Sequence, residues 1–387
     1  VDNSYKFIID CVACSLGSDN KLNIDNNVDY MHVFKCSSAH SITPIVYDGI
    51  KKLGIVLPDE VEKVFSKKCR MYTMQYVMQD EQLCKLTDIF EKNKIKNMPL
   101  KGSILRKMYP RPELRTSSDL DILYDETYEE RVAEILLGLG YKVGEKAAKD
   151  TSYLLPPFVN VEMHCSLMGD HPELEGDFAD VWDRVSLVDG KEYTYAMSNE
   201  DFYVYMITHA AKHYLMGGIG IRFVIDAWVF NNYIGDRIDT NVVNERLAQL
   251  GVSVFNQKLI SLANYWFNGS DADEATKALG DFICDCNTFG ATQNRVAGQI
   301  ASKGKIKFML DRVFPQYDIM CSYYPKLKQN KVLLPYFWCK RIIRGAFNRN
   351  STFHSESEIS SNISDEKINS IKELNDSLGF NEKSLRY

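Results

Sequence analysis

The sequence predicts an α+β protein in which a small β-sheet core is embedded between an N-terminal helical segment and a larger C-terminal helical domain. Three observations carry this expectation. Apolar residues recur at three- and four-residue steps over residues 59–93, short apolar runs broken by Gly and Pro fill residues 95–162, and the helical period returns after Asn199 and persists to about Arg349. The expected organisation is a helical segment at 1–94, an α/β core at 95–198, a helical domain at 199–349 and a polar tail at 350–387.

Taken in order, Pro58-Asp59 marks a helix start, and Val61, Val64, Phe65, Tyr72, Tyr76, Val77, Leu83, Leu86, Ile89 and Phe90 then give the stripe of one or two amphipathic helices. Strands are expected at residues 95–100, 120–124, 141–143, 152–155 and 158–163, with a helix at 126–139 between the second and third. The end of the chain is rich in Ser, Asn, Glu and Asp, which predicts a loosely attached tail with one short helix at 365–378.

Composition narrows the function classes. With 387 residues, 45% hydrophobic and 25% charged, the chain is neither a mini-protein nor mostly disordered. A formal charge of −6 is too acidic for coating nucleic acid by bulk electrostatics, so any anionic ligand must be held locally. No apolar run approaches the ~18 residues of a membrane span, and the start, Val1 to Lys6 followed by a short apolar run to Leu16, lacks a basic n-region, so a cytoplasmic protein is expected. The ten cysteines are scattered through apolar helical patterns and read as reduced thiols. Cys11-x-x-Cys14 and Cys284-x-Cys286 lack the second spaced pair of a zinc site and read as buried small side chains.

The most informative residues are Ser118-Asp119-Leu120-Asp121-Ile122-Leu123. In a strand, Asp119 and Asp121 project to one face while Leu120 and Ile122 face the other. Two neighbouring carboxylates raise each other's pKa unless a cation neutralises them, which a divalent metal does. Taken alone, the pair equally describes an edge strand with a solvated acidic face. Two further features add to it. About sixteen residues upstream, Pro99-Leu100-Lys101-Gly102-Ser103 ends an apolar strand in Gly-Ser before a helical pattern, a junction that lets backbone N–H groups and a hydroxyl approach a phosphate. Downstream, Glu162 alternates with Val161 and Met163 in another strand and reaches the same site if the two strands pair.

This order, Leu100-Lys101-Gly102-Ser103, then Asp119-Leu120-Asp121, then Val161-Glu162-Met163, resembles the nucleotidyltransferases with the DNA polymerase β catalytic fold. Lys101 before the Gly, Tyr109-Pro110, Arg115 four residues before the first Asp, and Glu162 followed by His164 resemble one branch, the bacterial uncharacterised nucleotidyltransferase family. The likeness extends through His209-Ala-Ala-Lys212-His213, Arg222, Asp226, Phe314-Pro315 and Tyr324-Pro325, over roughly residues 60–345. It implies a small mixed sheet and transfer of a nucleoside monophosphate from a nucleoside triphosphate to a hydroxyl, with pyrophosphate leaving. Two Mg²⁺ (or Mn²⁺) ions are implied, with Asp119 and Asp121 on the nucleotide-bound ion, Asp121 and Glu162 on the other, and Glu162 a candidate to take the proton. Gly102 and Ser103 would then grip the β and γ phosphates.

Lys101 and Arg115 flank the motif and are candidates to neutralise triphosphate charge. His209 and His213 lie on one helical face without the Glu of a metalloprotease motif, and with Lys212 they are expected to line the nucleotide from the helical domain. His164 shares a strand face with Glu162 and either orients a carboxylate, touches the acceptor or is a satisfied core histidine. Residues 303–349 carry eleven Lys and Arg against Asp311 and Asp318, with Phe308, Phe314, Tyr317, Tyr323, Tyr324, Tyr336, Phe337, Trp338 and Phe347 interleaved. That pattern describes helix-packing aromatics with cations on the solvated face, or a platform for RNA or an anionic surface. The acceptor expected is a small molecule, a protein side chain or an RNA end, with nucleic acid permitted but not indicated. The alternative is a catalytically silent member of the fold that binds nucleotide or a partner protein.

Overall fold

The computed structural model describes residues 3–18, 28–147, 149–169, 176–286, 288, 291–317, 320–321, 324–347 and 352–380. The chain divides into two compact units, residues 1–211 with 220–288, and residues 212–219 with 289–387. In the first unit, α1 (Asn3–Leu16), α2 (Tyr30–Ala39), α3 (Thr43–Lys52) and α4 (Asp59–Lys92) lead into β1 (Asn97–Pro99) and the one-turn α5 (Gly102–Leu105). There follow β2 (Leu120–Tyr124), α6 (Glu129–Gly138), β3 (Lys142–Lys146), β4 (Asp150–Leu155) and β5 (Val159–His164). After the short α7 (Val181–Arg184) and the strands β6 (Ser186–Leu187) and β7 (Tyr195–Ala196), helices resume. They are α8 (Asn199–Leu215), whose last turn passes into the second unit, α9 (Ile221–Ile234), α10 (Thr240–Gln249), α11 (Ser253–Asn268) and α12 (Glu274–Cys284).

The α+β expectation holds, with a five-stranded mixed sheet in the order β1-β2-β5-β4-β3. Its central pair, β2 and β5, is parallel, and the other pairings are antiparallel. The 59–93 periodicity is one 34-residue helix that starts after Pro58 with Asp59, Glu60 and Glu62 in its first turn, where acids oppose the helix dipole. Its C-terminal half packs on the sheet: Leu86 and Phe90 meet Val132 and Leu136 of α6 and the inward row Leu120, Ile122, Tyr124, Val161 and Met163. Period-two alternation therefore sends the apolar residues of β2 and β5 to the helices and leaves Asp121, Glu162 and His164 on the opposite face.

The second unit contains α13 (Thr292–Lys303), α14 (Lys305–Val313), α15 (Leu334–Phe347), α16 (Thr352–Asn362) and α17 (Asp365–Ser377). The tail expected to be loose is instead packed. Ile371 and Leu374 of α17 are buried, the Tyr214 hydroxyl lies 2.9 Å from Asn375 Oδ1, and Tyr214 stacks on Phe380. Apolar residues spaced along an otherwise polar helix supply that attachment. The aromatics of the basic segment are largely packing residues: Phe308 joins Val296 and Ile300, while Phe337 packs with Met320 and Leu327 against Tyr317, Tyr324 and Trp338. Tyr323 and Arg349 lie outside the described residues. All ten cysteines are free thiols, and among the described residues no helix is long and apolar enough to cross a membrane.

Candidate active site

Parallel pairing of β2 with β5 sets Asp121 directly opposite Glu162 and Leu123 opposite His164. Because both strands run the same way, the two carboxylates project side by side. Ligand atoms of Asp121, Glu162 and His164 all lie within 4.8 Å of one another, a group that can hold a divalent metal ion. Asp121 is 6% exposed, so the solvated-edge reading of the acid pair does not describe this strand. Asp119 stands one residue before β2 and accepts from the Ser118 hydroxyl at 3.0 Å.

β1 brings the fourth charged group. Its pairing with β2 continues as Leu100 N–H donating to Asp121 O at 2.9 Å, and the chain then turns at Lys101 with φ +39°, a left-handed conformation that non-glycine residues rarely adopt. The turn lays Lys101 Nζ 3.0 Å from Asp121 Oδ1, the same oxygen that meets His164 Nε2 at 2.9 Å. Burial alone would raise Asp121, but the Lys101 ammonium and the His164 contact outweigh it and hold this carboxyl well below the usual range. Asp119 is pushed up by burial and then by the Asp121 charge. Burial, followed by Asp119 and Asp121, drives Glu162 up to about 7. Three carboxyl groups in one face thus differ in proton affinity, with Asp121 ionised and Glu162 able to hold or release a proton near neutrality.

The profile of a family described as uncharacterised nucleotidyltransferase matches residues 26–268, more than half of the chain. The chain belongs to that family. No curated protein matches it, and no solved structure does. Membership carries a general nucleotidyltransferase role, and the acid face of the sheet lies within the matched region.

Around the glycine turn the motif residues are tied into the protein by hydrogen bonds. Ser103 is buried and its hydroxyl donates to Leu100 O at 2.8 Å, so it closes the turn. The hydroxyl beside Gly102 belongs to Ser117. Arg115 is engaged by a buried partner, donating from Nε to Asp226 Oδ1 at 2.8 Å and from Nη2 to Oδ2 at 2.9 Å, while Tyr109 donates to the same carboxylate at 2.7 Å. Its remaining nitrogen, Nη1, is buried without a hydrogen-bond partner and faces Gly102. Asp226 anchors this guanidinium, and Arg222 donates to Thr116 O at 3.1 Å.

Arg106 and Gln79 carry no motif signal and were not anticipated. Arg106, 2% exposed, donates to Gln79 Oε1 at 3.0 Å and Gly102 O at 3.3 Å, and Gln79 in turn donates to Ser117 O. Burial and then the charge of Arg115 press Arg106 down to about 10. Three guanidiniums therefore crowd the 102–119 turn, an environment suited to an anion. His209 packs its ring against Tyr205 and Phe223, and Tyr205 is close enough to Lys101 to act on its charge. Lys212 and His213 fall in the second unit.

A glycine is required at 102 because a Cβ there would stand 2.6 Å from Arg115 Nη1 and 2.7 Å from Ser117 Oγ. Gly102→Ala is expected to cost about 1–3 kcal/mol through this overpacking, read as a lower midpoint of urea unfolding. An unchanged midpoint would show that the turn is not held by these contacts.

Proposed function

We propose that this chain transfers a nucleoside monophosphate from a nucleoside triphosphate to a hydroxyl acceptor and releases pyrophosphate, with Asp119, Asp121 and Glu162 as the catalytic acids. The observation that carries this reading is the pairing of Asp121 with Glu162 across β2 and β5, beside a glycine turn lined by arginines. The donor set fits a divalent ion: carboxylates suit Mg²⁺ or Mn²⁺, and His164 adds a nitrogen donor. Two such ions, held by Asp119, Asp121 and Glu162, would neutralise triphosphate charge and acidify the acceptor hydroxyl. The chain's own groups do the rest. Glu162 takes the acceptor proton, Lys101 and Arg115 Nη1 meet phosphate oxygens beside Gly102, and Ser103 holds the turn that presents them. His209, whose ring packs on the Tyr205 that acts on Lys101, lines the nucleotide from α8 in this reading. The acceptor class is a small molecule, a protein side chain or an RNA end.

A second reading is favoured by one contact. Asp121 Oδ1 is already met by the Lys101 ammonium and by His164 Nε2, so protein side chains occupy the oxygen that a metal would use, as suits a catalytically silent nucleotide binder. Calorimetric titration of the full chain with each nucleoside triphosphate and Mg²⁺, followed by a pyrophosphate assay, separates the two. Binding with pyrophosphate release supports the enzyme, binding without release in the presence of lysate supports the silent member, and no binding removes both.

The Glu162 shift sets a pH dependence. Its folded value of about 7 lies above the ordinary 4.5, so its protonated form favours the metal-free fold at low pH, and that contribution is lost as pH rises through 7. A metal needs the ionised form, so Mn²⁺ affinity is expected to rise from pH 6 to 8 with release of about one proton. Calorimetry in two buffers of different ionisation enthalpy counts the proton. Equal release from Glu162→Gln would assign it to another group.

A further inference from the structure

The helical part of the first unit holds a polar cleft of about 520 Å³ that the acid site does not use. It lies between α9 and α11 with Tyr203 of α8 in its lining, and its volume falls within the ~300–1,000 Å³ of small-molecule sites. On α9, Trp228, Asn231 and Asn232 face the cleft, whereas Arg222 and Asp226 lie on a different face of the helix and reach Thr116 and Arg115. The cleft and the acid site are therefore distinct.

Six of the eleven lining residues carry carboxamides and none carries a charge. Their hydrogen bonds divide the walls by chemistry. On α9 the amide nitrogens are used, Asn231 Nδ2 donating to Ala227 O at 3.0 Å and Asn232 Nδ2 to Trp228 O at 2.8 Å, which leaves carbonyl oxygens as acceptors. On α11 the oxygens are used: Asn256 Oδ1 accepts from the Tyr203 hydroxyl at 2.9 Å, and Asn264 Oδ1 accepts from Asn268 Nδ2 at 2.8 Å. The amide groups of Asn256 and Asn264 then remain as donors. Trp228 is fixed between these walls, its Nε1 donating to Asn268 Oδ1 at 3.1 Å and its ring edge-on to Phe267 at 5.9 Å.

An anion finds no cation in this cleft, and a hydrocarbon would strand its carboxamides. A hydroxyl group both donates and accepts, so a ring bearing several of them satisfies an acceptor wall and a donor wall together, while its C–H face covers an indole. We propose that the cleft binds a neutral saccharide of one or two rings, independently of the nucleotidyltransferase site. The held indole and tied amides limit the ordering cost of binding.

The test is ligand-observed NMR titration of the full chain with neutral hexoses, pentoses, N-acetylhexosamines and their common disaccharides, with adenosine and uridine alongside. At least one saccharide is expected to bind saturably in the millimolar range or tighter. Trp228→Ala and Asn264→Ala should each weaken it about tenfold or more, with circular dichroism and nucleoside triphosphate binding unchanged. Absence of saturable binding across the panel, binding that survives both substitutions, or binding of the nucleosides alone would overturn the proposal. The last outcome would assign the cleft to a nucleobase.

Discussion

Asp121→Asn is expected to lower nucleotide transfer by about 10³-fold or more, the largest single effect on activity in this protein. The substitution keeps an oxygen that Lys101 and His164 can still contact, so the β2–β5 pairing and the apolar face beneath it remain intact. What it removes is the charge at the centre of the group. Burial is the main cause of the raised Glu162 and Asp119 carboxyls, and the charge of Asp121, which sits opposite Glu162, adds to both, so its neutralisation also lowers those two. A carboxyl titration followed by NMR should therefore show Glu162 moving below about 7 in the variant, together with loss of Mg²⁺-dependent pyrophosphate release. Pyrophosphate release at the wild-type rate would remove Asp121 from the site.

Asp226→Ala is expected to have the largest effect on stability, about 3–5 kcal/mol, because it leaves a buried guanidinium without its partner. Arg115 is 6% exposed and donates two of its nitrogens to Asp226, and the Tyr109 hydroxyl also loses its acceptor. Arg222, close by and also buried, then faces Arg115 without an intervening carboxylate. Arg115→Lys is not a remedy, since an ammonium cannot reproduce the two parallel contacts. The exposed pair Arg131–Glu134 provides the contrast: Arg131→Ala is expected to leave the midpoint of urea unfolding in place. Equal midpoints for Asp226→Ala and wild type would mean that the buried pair contributes nothing net.

Much of the sheet was legible because period-two alternation and a burial requirement coincide in β2 and β5. The expected 120–124 and 158–163 became Leu120–Tyr124 and Val159–His164, and the strand pairing on which the reach of Glu162 depended is present, with Glu162 opposite Asp121. The strand at 95–100 is shorter, Asn97–Pro99, because Lys101 leaves the sheet in a left-handed turn. The two-residue β6 and β7 offer too few positions for any period to show. Arg115 illustrates where sequence reasoning ends. Its candidacy came from standing near the acids in sequence, but what fixes its guanidinium is Asp226, 111 residues away, and no local spacing encodes that pairing. Gln79, Arg106 and Ser117 support the glycine turn through contacts made only when α4 closes over it. The packed tail shows the complementary case, in which a polar composition hid the few apolar positions that attach α17.

The most direct measurement of the proposed activity is transfer of label from α-phosphate-labelled ATP, GTP, CTP and UTP, incubated with the full chain, Mg²⁺ and lysate as the source of acceptor. Label is expected on an acceptor, dependent on Mg²⁺, accompanied by pyrophosphate and absent with Asp121→Asn. Transfer from γ-labelled but not α-labelled nucleotide, or α-label transfer that persists in Asp121→Asn, would contradict nucleotidyl transfer at the Asp119, Asp121 and Glu162 site.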